Sequence, residues 1–366
     1  MVHRAAHHAA SEHRYDATQG VSRPLAGHVY HINALLVARP NNTEVTYKDF
    51  TTGTTRAGQG WEKILTLFQI SRERGFTWTW IDTCCIDKSS SAELSKAIKS
   101  MWKWYEGATE CYVLIDDCEL TWPLPEVCMT KEFDWAAPKS SRPTAERYQL
   151  ADGWRSCESP EDVQKIDQFA RCRWFIRGWT LQELLAPQSV LFYNDCHYLL
   201  GDKSSIAPLV SHAAGISASS LDNYEYQLPK PSVARRMSWA ARCVTTREED
   251  KAYCLFGLFD VNMPLLYGEG ANAFRRLQEE IIRKFDDLSI LAWGFPGLDQ
   301  PMSEDSPDDE RMRHARCVLA NGPSDFLGSE NILSIVSRES ELSRYSVINR
   351  GLEVTTHNEM VKMAKG

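Results

Sequence analysis

No stretch of this chain approaches the roughly 18 uncharged apolar residues that a membrane-spanning helix needs. The first twenty residues carry His3, His7, His8 and scattered charges but no apolar h-region, which argues against a secretory signal. Residues 1–25 are expected to be a mostly disordered leader. A net charge of −8 leaves little for a nucleic-acid or anionic-membrane partner to bind, since both need a cationic face. The basic pairs Arg235–Arg236 and Arg275–Arg276 fall in helical patterns and read as solvated faces. There is no C-x-x-C pair among the 11 cysteines, no Walker loop, no internal repeat and no low-complexity tract.

Those 11 cysteines are an odd number, and several sit inside apolar runs, where a free thiol behaves as a small hydrophobe. Reduced thiols and a cytoplasmic location are the simpler account. Cys84 and Cys85 are adjacent, so on an extended strand they would leave opposite faces, and His197 and His212 are distant in sequence. No metal site is expected.

What is present is a folded composition, 43% hydrophobic and 25% charged, in a chain long enough for one large domain or two ordinary ones. The run His31–Val37 predicts a strand. Trp61, Ile64, Leu65 and Phe68 recur at helical spacing and predict a helix that stops near Gly75. Thr77–Ile81 is β-rich and ends in Asp82. Ser90-Ser91-Ala92-Glu93 fits a capping box, opening a helix whose face carries Leu94, Ile98, Met101, Trp102 and Tyr105. Cys111–Ile115 is the next buried strand and ends in Asp116-Asp117.

Strand, helix, strand is the grammar of a parallel sheet covered by helices, an α/β fold. Five prolines between 119 and 160 mark an irregular insertion. A short helix through Glu183 stops at Pro187, and Ser189–Tyr193 is another strand. The last third is helical: Val233, Met237 and Ala240 line one stripe, Ala252, Leu255 and Phe256 another, and Phe274, Leu277, Ile281 and Phe285 a third. An acidic stretch and a small β-rich appendage (315–356) end the chain.

Three features bear on chemistry. Gly268-Glu269-Gly270 precedes a helix but lacks the Walker spacing and reads as a plain turn. In Arg177-Gly178-Trp179-Thr180-Leu181-Gln182-Glu183-Leu184, a carboxylate four residues after a Trp shares its helix face. Trp179 would wall a pocket in which a partly desolvated Glu183 could stabilise an oxocarbenium-like ribose or orient a water. Spacing alone favours the plainer alternative, a first-turn Glu183 paired with Arg173 or Arg177. Asp82, Asp87 and Asp116 lie at or near C-terminal strand ends, the edge where open parallel sheets bind ligands. Taken singly, capping and loop solvation explain each of them as well.

These segments resemble the fungal heterokaryon-incompatibility (HET) domain. The matching stretches are Trp80–Lys88, Arg177–Pro187, Arg247–Leu255 and Asn262–Gly270, in the family's order, with Asn349-Arg350-Gly351-Leu352 resembling its usual tail. The resemblance covers most of residues 45–295, so a HET domain is expected over 26–295, with 296–366 as an appendage. HET domains are in turn similar to Toll/interleukin-1 receptor (TIR) domains, whose W-C-x-x-E-L pattern resembles Trp179–Leu184 with Thr180 in place of Cys.

That likeness implies a flavodoxin-like, TIR-like parallel sheet with flanking helices. It also implies Glu183 as catalytic residue of an NAD hydrolase, with NAD as substrate and no cofactor. Asp82, Asp87, Asp116, Arg177 and Trp179 are the candidate substrate-binding residues. The role implied is non-self recognition and programmed cell death, through self-association and partnership with other incompatibility or NOD-like proteins. One departure stands out. The family's opening strand reads like L-S-x-x-W-G, whereas this chain has Leu35-Leu36-Val37-Ala38-Arg39-Pro40. That departure favours a non-catalytic death-signalling scaffold, while the intact W-x-x-x-E favours the enzyme.

Overall fold

The computed structural model describes residues 3–4, 32–33, 44–53, 58–76, 78–115, 117, 160–223, 231–294, 318–332, 344–348 and 351–355. The expected insertion at 119–160, apart from its last residue, the altered segment 35–40 and the candidate Asp116 lie outside them. The chain divides into two compact units, Met1–Tyr224 and Glu225–Gly366.

The first unit is mixed α/β. Its strands are β1 (His3–Arg4), β2 (Ile32–Asn33), β3 (Trp78–Ile81), β4 (Cys111–Leu114), β5 (Val190–Tyr193) and β6 (Leu199–Asp202). β3 is flanked by β1, antiparallel, and by β2, parallel, with Ile32 opposite Trp80. In a second sheet β4 and β5 run parallel, Cys111 opposite Val190, and β6 closes the edge antiparallel to β5. β2 also runs beside β4. All residues of β4 and β5 are buried, as expected of parallel strands covered on both faces. His3 and Arg4, inside the expected leader, form β1.

Among the described residues, eight helices belong to this unit: α1 (Tyr47–Thr52), α2 (Gln59–Glu73), α3 (Asp82–Cys85), α4 (Ser91–Glu106), α5 (Pro160–Ala170), α6 (Thr180–Leu185), α7 (Ala207–Ala214) and α8 (Ala218–Asn223). Thr46 and Asp49 form a reciprocal capping box on α1, with Asp49 N–H donating to Thr46 Oγ1 at 3.2 Å and Thr46 N–H to Asp49 Oδ2 at 3.0 Å. In α2 the buried face runs through Ile64, Leu67 and Ser71, and Leu65 points outward. The helix stops at Gly75, whose φ of 84° lies in the left-handed region that favours glycine.

α4 buries Ala97, Ile98, Met101, Trp102 and Tyr105, close to the expected face. Its cap differs from the expected box. Ser90 Oγ accepts from Glu93 N–H at 3.3 Å, but the Glu93 carboxylate reaches back to Asp87 N–H instead of to Ser90. Cys84 and Cys85 lie on the single turn α3 rather than on an extended strand, so both thiols are buried. Asp82 ends the pairing of β3 and opens that turn.

Around β5 the core is aromatic. Trp174 lies edge-on to Phe192 with ring centres 5.6 Å apart, and Phe169 packs on Phe175 at 4.9 Å. Lys203, 3% exposed, sends its Nζ to the carbonyls of Leu184 at 3.1 Å and Pro187 at 2.6 Å. A cation at the C-terminal end of a helix satisfies carbonyls that have no partner within it. Sequence reasoning did not anticipate this anchor for α6.

The second unit contains α9 (Val233–Trp239), α10 (Asp250–Tyr253), α11 (Phe256–Phe259), α12 (Asn272–Lys284) and the antiparallel hairpin of β7 (Arg344–Ile348) and β8 (Gly351–Thr355). Phe274, Leu277 and Ile281 are buried along α12 as the spacing predicts. The Gly268–Gly270 segment is a plain turn. Glu249 Oε1 accepts from Gly268 N–H at 2.7 Å and Gly270 N–H at 3.0 Å. Leu266 N–H donates to the Tyr253 hydroxyl, which in turn donates to Glu269, each at 2.9 Å. Arg276 pairs with Glu269.

Replacing Lys203 by Met keeps the apolar stem but strands two buried carbonyls. Lys203→Met is therefore expected to destabilise the protein by about 3 kcal/mol, read as a lower urea midpoint. An unchanged midpoint would remove Lys203 as the anchor of α6.

Candidate functional site

Glu183 lies on α6, and its environment is assembled by three elements. α4 delivers Tyr105, whose hydroxyl donates to Glu183 Oε1 at 3.4 Å. A 3-10 segment, Arg173–Ile176, delivers Trp174, whose Nε1–H donates to Oε2 at 3.3 Å. The turn after β3 delivers Asp82. Glu183 is 6% exposed.

Burial pushes the Glu183 carboxyl up to about 7, and the nearby Asp82 charge adds to the rise. Arg177 and the hydrogen bonds from Trp174 and Tyr105 oppose it. Burial also pushes the Tyr105 phenol well above its ordinary range, so it stays a donor. At neutral pH the carboxyl is close to half-ionised, which suits both a base and a charge stabiliser.

Local bonds fix this geometry. The Thr180 hydroxyl lies 2.7 Å from the carbonyl oxygens of both Trp174 and Arg177. It ties the start of α6 to the segment that carries the indole. Asp117, at the end of β4, accepts from Arg173 N–H at 2.9 Å and Arg173 Nε at 3.0 Å.

The candidates are placed unequally. Asp82 belongs to the site, its Oδ2 3.5 Å from Lys88 Nζ. Arg177 stands close enough to bear on both Glu183 and Glu44. Trp179 precedes the first helical residue of α6, and the indole that bonds the carboxylate is Trp174's instead. Arg173, offered as a partner of Glu183, pairs with Asp117. Asp87 serves the approach to α4. It accepts from Ser89 N–H at 2.9 Å and from the Ser89 hydroxyl, which hold its carboxyl below the usual range.

Sequence reasoning missed Glu44. Burial, then the Asp82 charge, raise its carboxyl, against the pull of Lys63, Arg177 and Lys88. Its signal was faint, an acid two residues before the Thr46 cap. Among the described residues no group of three His, Cys, Asp or Glu side chains could hold a metal ion. None of their helices is long and apolar enough to cross a membrane.

Residues 40–183 match the family model Heterokaryon incompatibility protein (HET), and this is a HET-domain protein. Vegetative incompatibility protein HET-E-1 of Podospora anserina is 39% identical over 266 residues, which cover 72% of this chain and 17% of that protein. The chain thus spans a small part of its relative's length. Residues 272–357 match a second model, a domain of unknown function, DUF8212. No solved structure matches the chain.

The raised Glu183 carboxyl fixes a pH dependence. Well below its ordinary 4.5, Glu183 holds its proton in both states. As pH rises towards 7, the unfolded chain ionises while folded Glu183 stays protonated, so stability falls, by about 3 kcal/mol once both are ionised. Glu183→Gln cannot ionise, so it is expected to gain on the wild type between pH 4.5 and pH 8 in urea midpoints. A wild-type-to-variant difference equal at both pH values would show that Glu183 is not desolvated.

Proposed function

We propose that the first unit is a TIR-like NAD-cleaving domain, and that the protein acts in heterokaryon incompatibility, coupling non-self recognition to cell death. The observation that carries this reading is the Glu183 carboxylate, buried between the Trp174 indole and the Tyr105 hydroxyl with its ionisation brought to about 7. Strand order supports it. Read through the contact of β2 with β4, the sheet runs β3-β2-β4-β5, the order of flavodoxin-like doubly wound sheets. The site then lies outside the C-terminal ends of the parallel strands, where Asp82 follows β3 and Asp117 follows β4. Antiparallel β1 beside β3 and antiparallel β6 beside β5 are departures at the two edges.

In the proposed reaction the C1′–N bond of the nicotinamide riboside breaks, and its electron pair leaves with nicotinamide. Ionised Glu183 offsets the developing ribosyl cation and takes the proton of the water that forms the new C1′–O bond, giving ADP-ribose. Arg177 and Asp82, whose charges bear on Glu183, stand beside the reacting ribose in this reading. Incompatibility is printed in the name of the relative from Podospora anserina and is carried to this chain as part of the proposal.

One observation favours a second reading, a non-catalytic scaffold that signals death by self-association and partner binding. Both Glu183 oxygens already have partners in the core, a duty that a structural carboxylate would perform. Turnover decides between the two. Concentrated wild-type protein is expected to release nicotinamide from NAD, and Glu183→Ala to lose about 100-fold or more of that rate. Equal turnover by Glu183→Ala, or none by wild type after enforced assembly, favours the scaffold.

A further inference from the structure

Among the described residues, Glu44 Oε1, Asp82 Oδ1 and Asp117 Oδ1 are buried without a hydrogen bond, and the charges of Glu44 and Asp82 act on each other beside Glu183. A buried, unpaired acceptor is costly, and a pair of them beside one candidate site calls for a shared explanation. Both are held where they are by local structure. Val45, 6% exposed, anchors the chain just after Glu44, and the Thr46–Asp49 box fixes its direction into α1. α1 packs on α3, whose first residue is Asp82. Glu44 is therefore delivered to Asp82 by two rigid turns.

We propose that Glu44 and Asp82 form the sugar-binding side of the Glu183 site, their orphan oxygens accepting the two hydroxyls of a ribose diol. The proposal rests on the NAD-cleaving reading for its ligand and deepens it by adding Glu44, which determines specificity and does not touch the bond that breaks.

The chemistry of the neighbourhood selects this ligand class. Ionised carboxylate oxygens only accept, so the missing partner must donate. Three acids (Glu44, Asp82, Glu183) stand among three bases (Lys63, Lys88, Arg177) whose charges reach Glu44, so charge is close to balanced. A neutral group that donates two hydrogen bonds fits such a site better than a cation does. Burial and the Asp82 charge raise the Glu44 carboxyl, so its ionised form is kept at a cost in stability. A residue retained at such cost for function should stabilise the fold when neutralised.

The test is calorimetric binding of ADP-ribose, which carries the diol but no scissile bond, alongside NAD turnover. Wild type, Glu44→Gln and Asp82→Asn are compared, each also with 2′-deoxy-ADP-ribose. Glu44→Gln is expected to bind ADP-ribose on the order of tenfold more weakly, to bind the deoxy analogue like wild type, and to melt at the same or a higher temperature. In turnover it should raise KM and spare kcat.

Several outcomes overturn the proposal: a wild type that binds no ADP-ribose, equal losses on both ligands, or a lowered melting temperature with unchanged affinity. The two readings fail separately. NAD cleavage that is indifferent to Glu44→Gln sinks this inference and leaves the enzyme. Glu44-dependent ADP-ribose binding without cleavage sinks the enzyme and leaves the sugar site.

Discussion

Taking the Glu183 carboxylate out of water is the constraint around which the first unit is arranged. A buried carboxyl needs donors or a proton, and this one has both an indole and a phenol within reach. Each donor is held by something else. Trp174 is fixed by its aromatic neighbours and by the Thr180 hydroxyl, Tyr105 by the buried face of α4. α6 is short, so its ends count for more than its length. Thr180 secures one end and the buried Lys203 ammonium the other.

The same constraint gives meaning to Thr180, which stands where the TIR pattern has Cys. Its hydroxyl lies against the carbonyl oxygens of Trp174 and Arg177 at the turn into α6, the first of which also accepts from Arg177 N–H at 3.4 Å. The position thus has a structural task that a hydroxyl performs well, and the substitution leaves the Glu183 surroundings intact. The departure at Leu35–Pro40 is of another kind, because in sequence it falls between β2 and Glu44.

Much of this architecture was legible because local signals were strong. β4 and β5 are continuous apolar runs, and α4 and α12 have clean helical spacing. What was missed has physical causes. Trp179 caps the Glu183 helix with α-region backbone, but the 3-10 segment before it presents Trp174, which spacing did not single out. Cys84 and Cys85 continued a β-rich run in sequence, yet the pairing of β3 ends at Ile81 and the chain coils into α3. β6 went unseen because Leu199–Asp202 is short, contains Gly201 and is stabilised by pairing with β5 rather than by its own pattern. Glu44 could not be found from sequence, since its relation to Asp82 exists only through the packing of α1 on α3.

The motif blocks of the chain differ in a way that sequence similarity does not convey. In the second unit the block at 247–270 bonds to itself. Glu249 is occupied by two glycine N–H groups, Glu269 by Tyr253 and Arg276, and Asp250 by the Tyr267 hydroxyl at 2.9 Å, with Arg247 over the Tyr267 ring. Acids so fully engaged stabilise a turn and have little left to offer a ligand. In the first unit Glu44 and Asp82 each keep an oxygen without a partner, beside a carboxyl that burial has made basic. Folding alone gives no reason to bury acceptors and leave them unpaired. The structural motif is the one whose acids Glu249, Asp250 and Glu269 are matched, and the unmatched pair beside Glu183 points to where a ligand's donors belong.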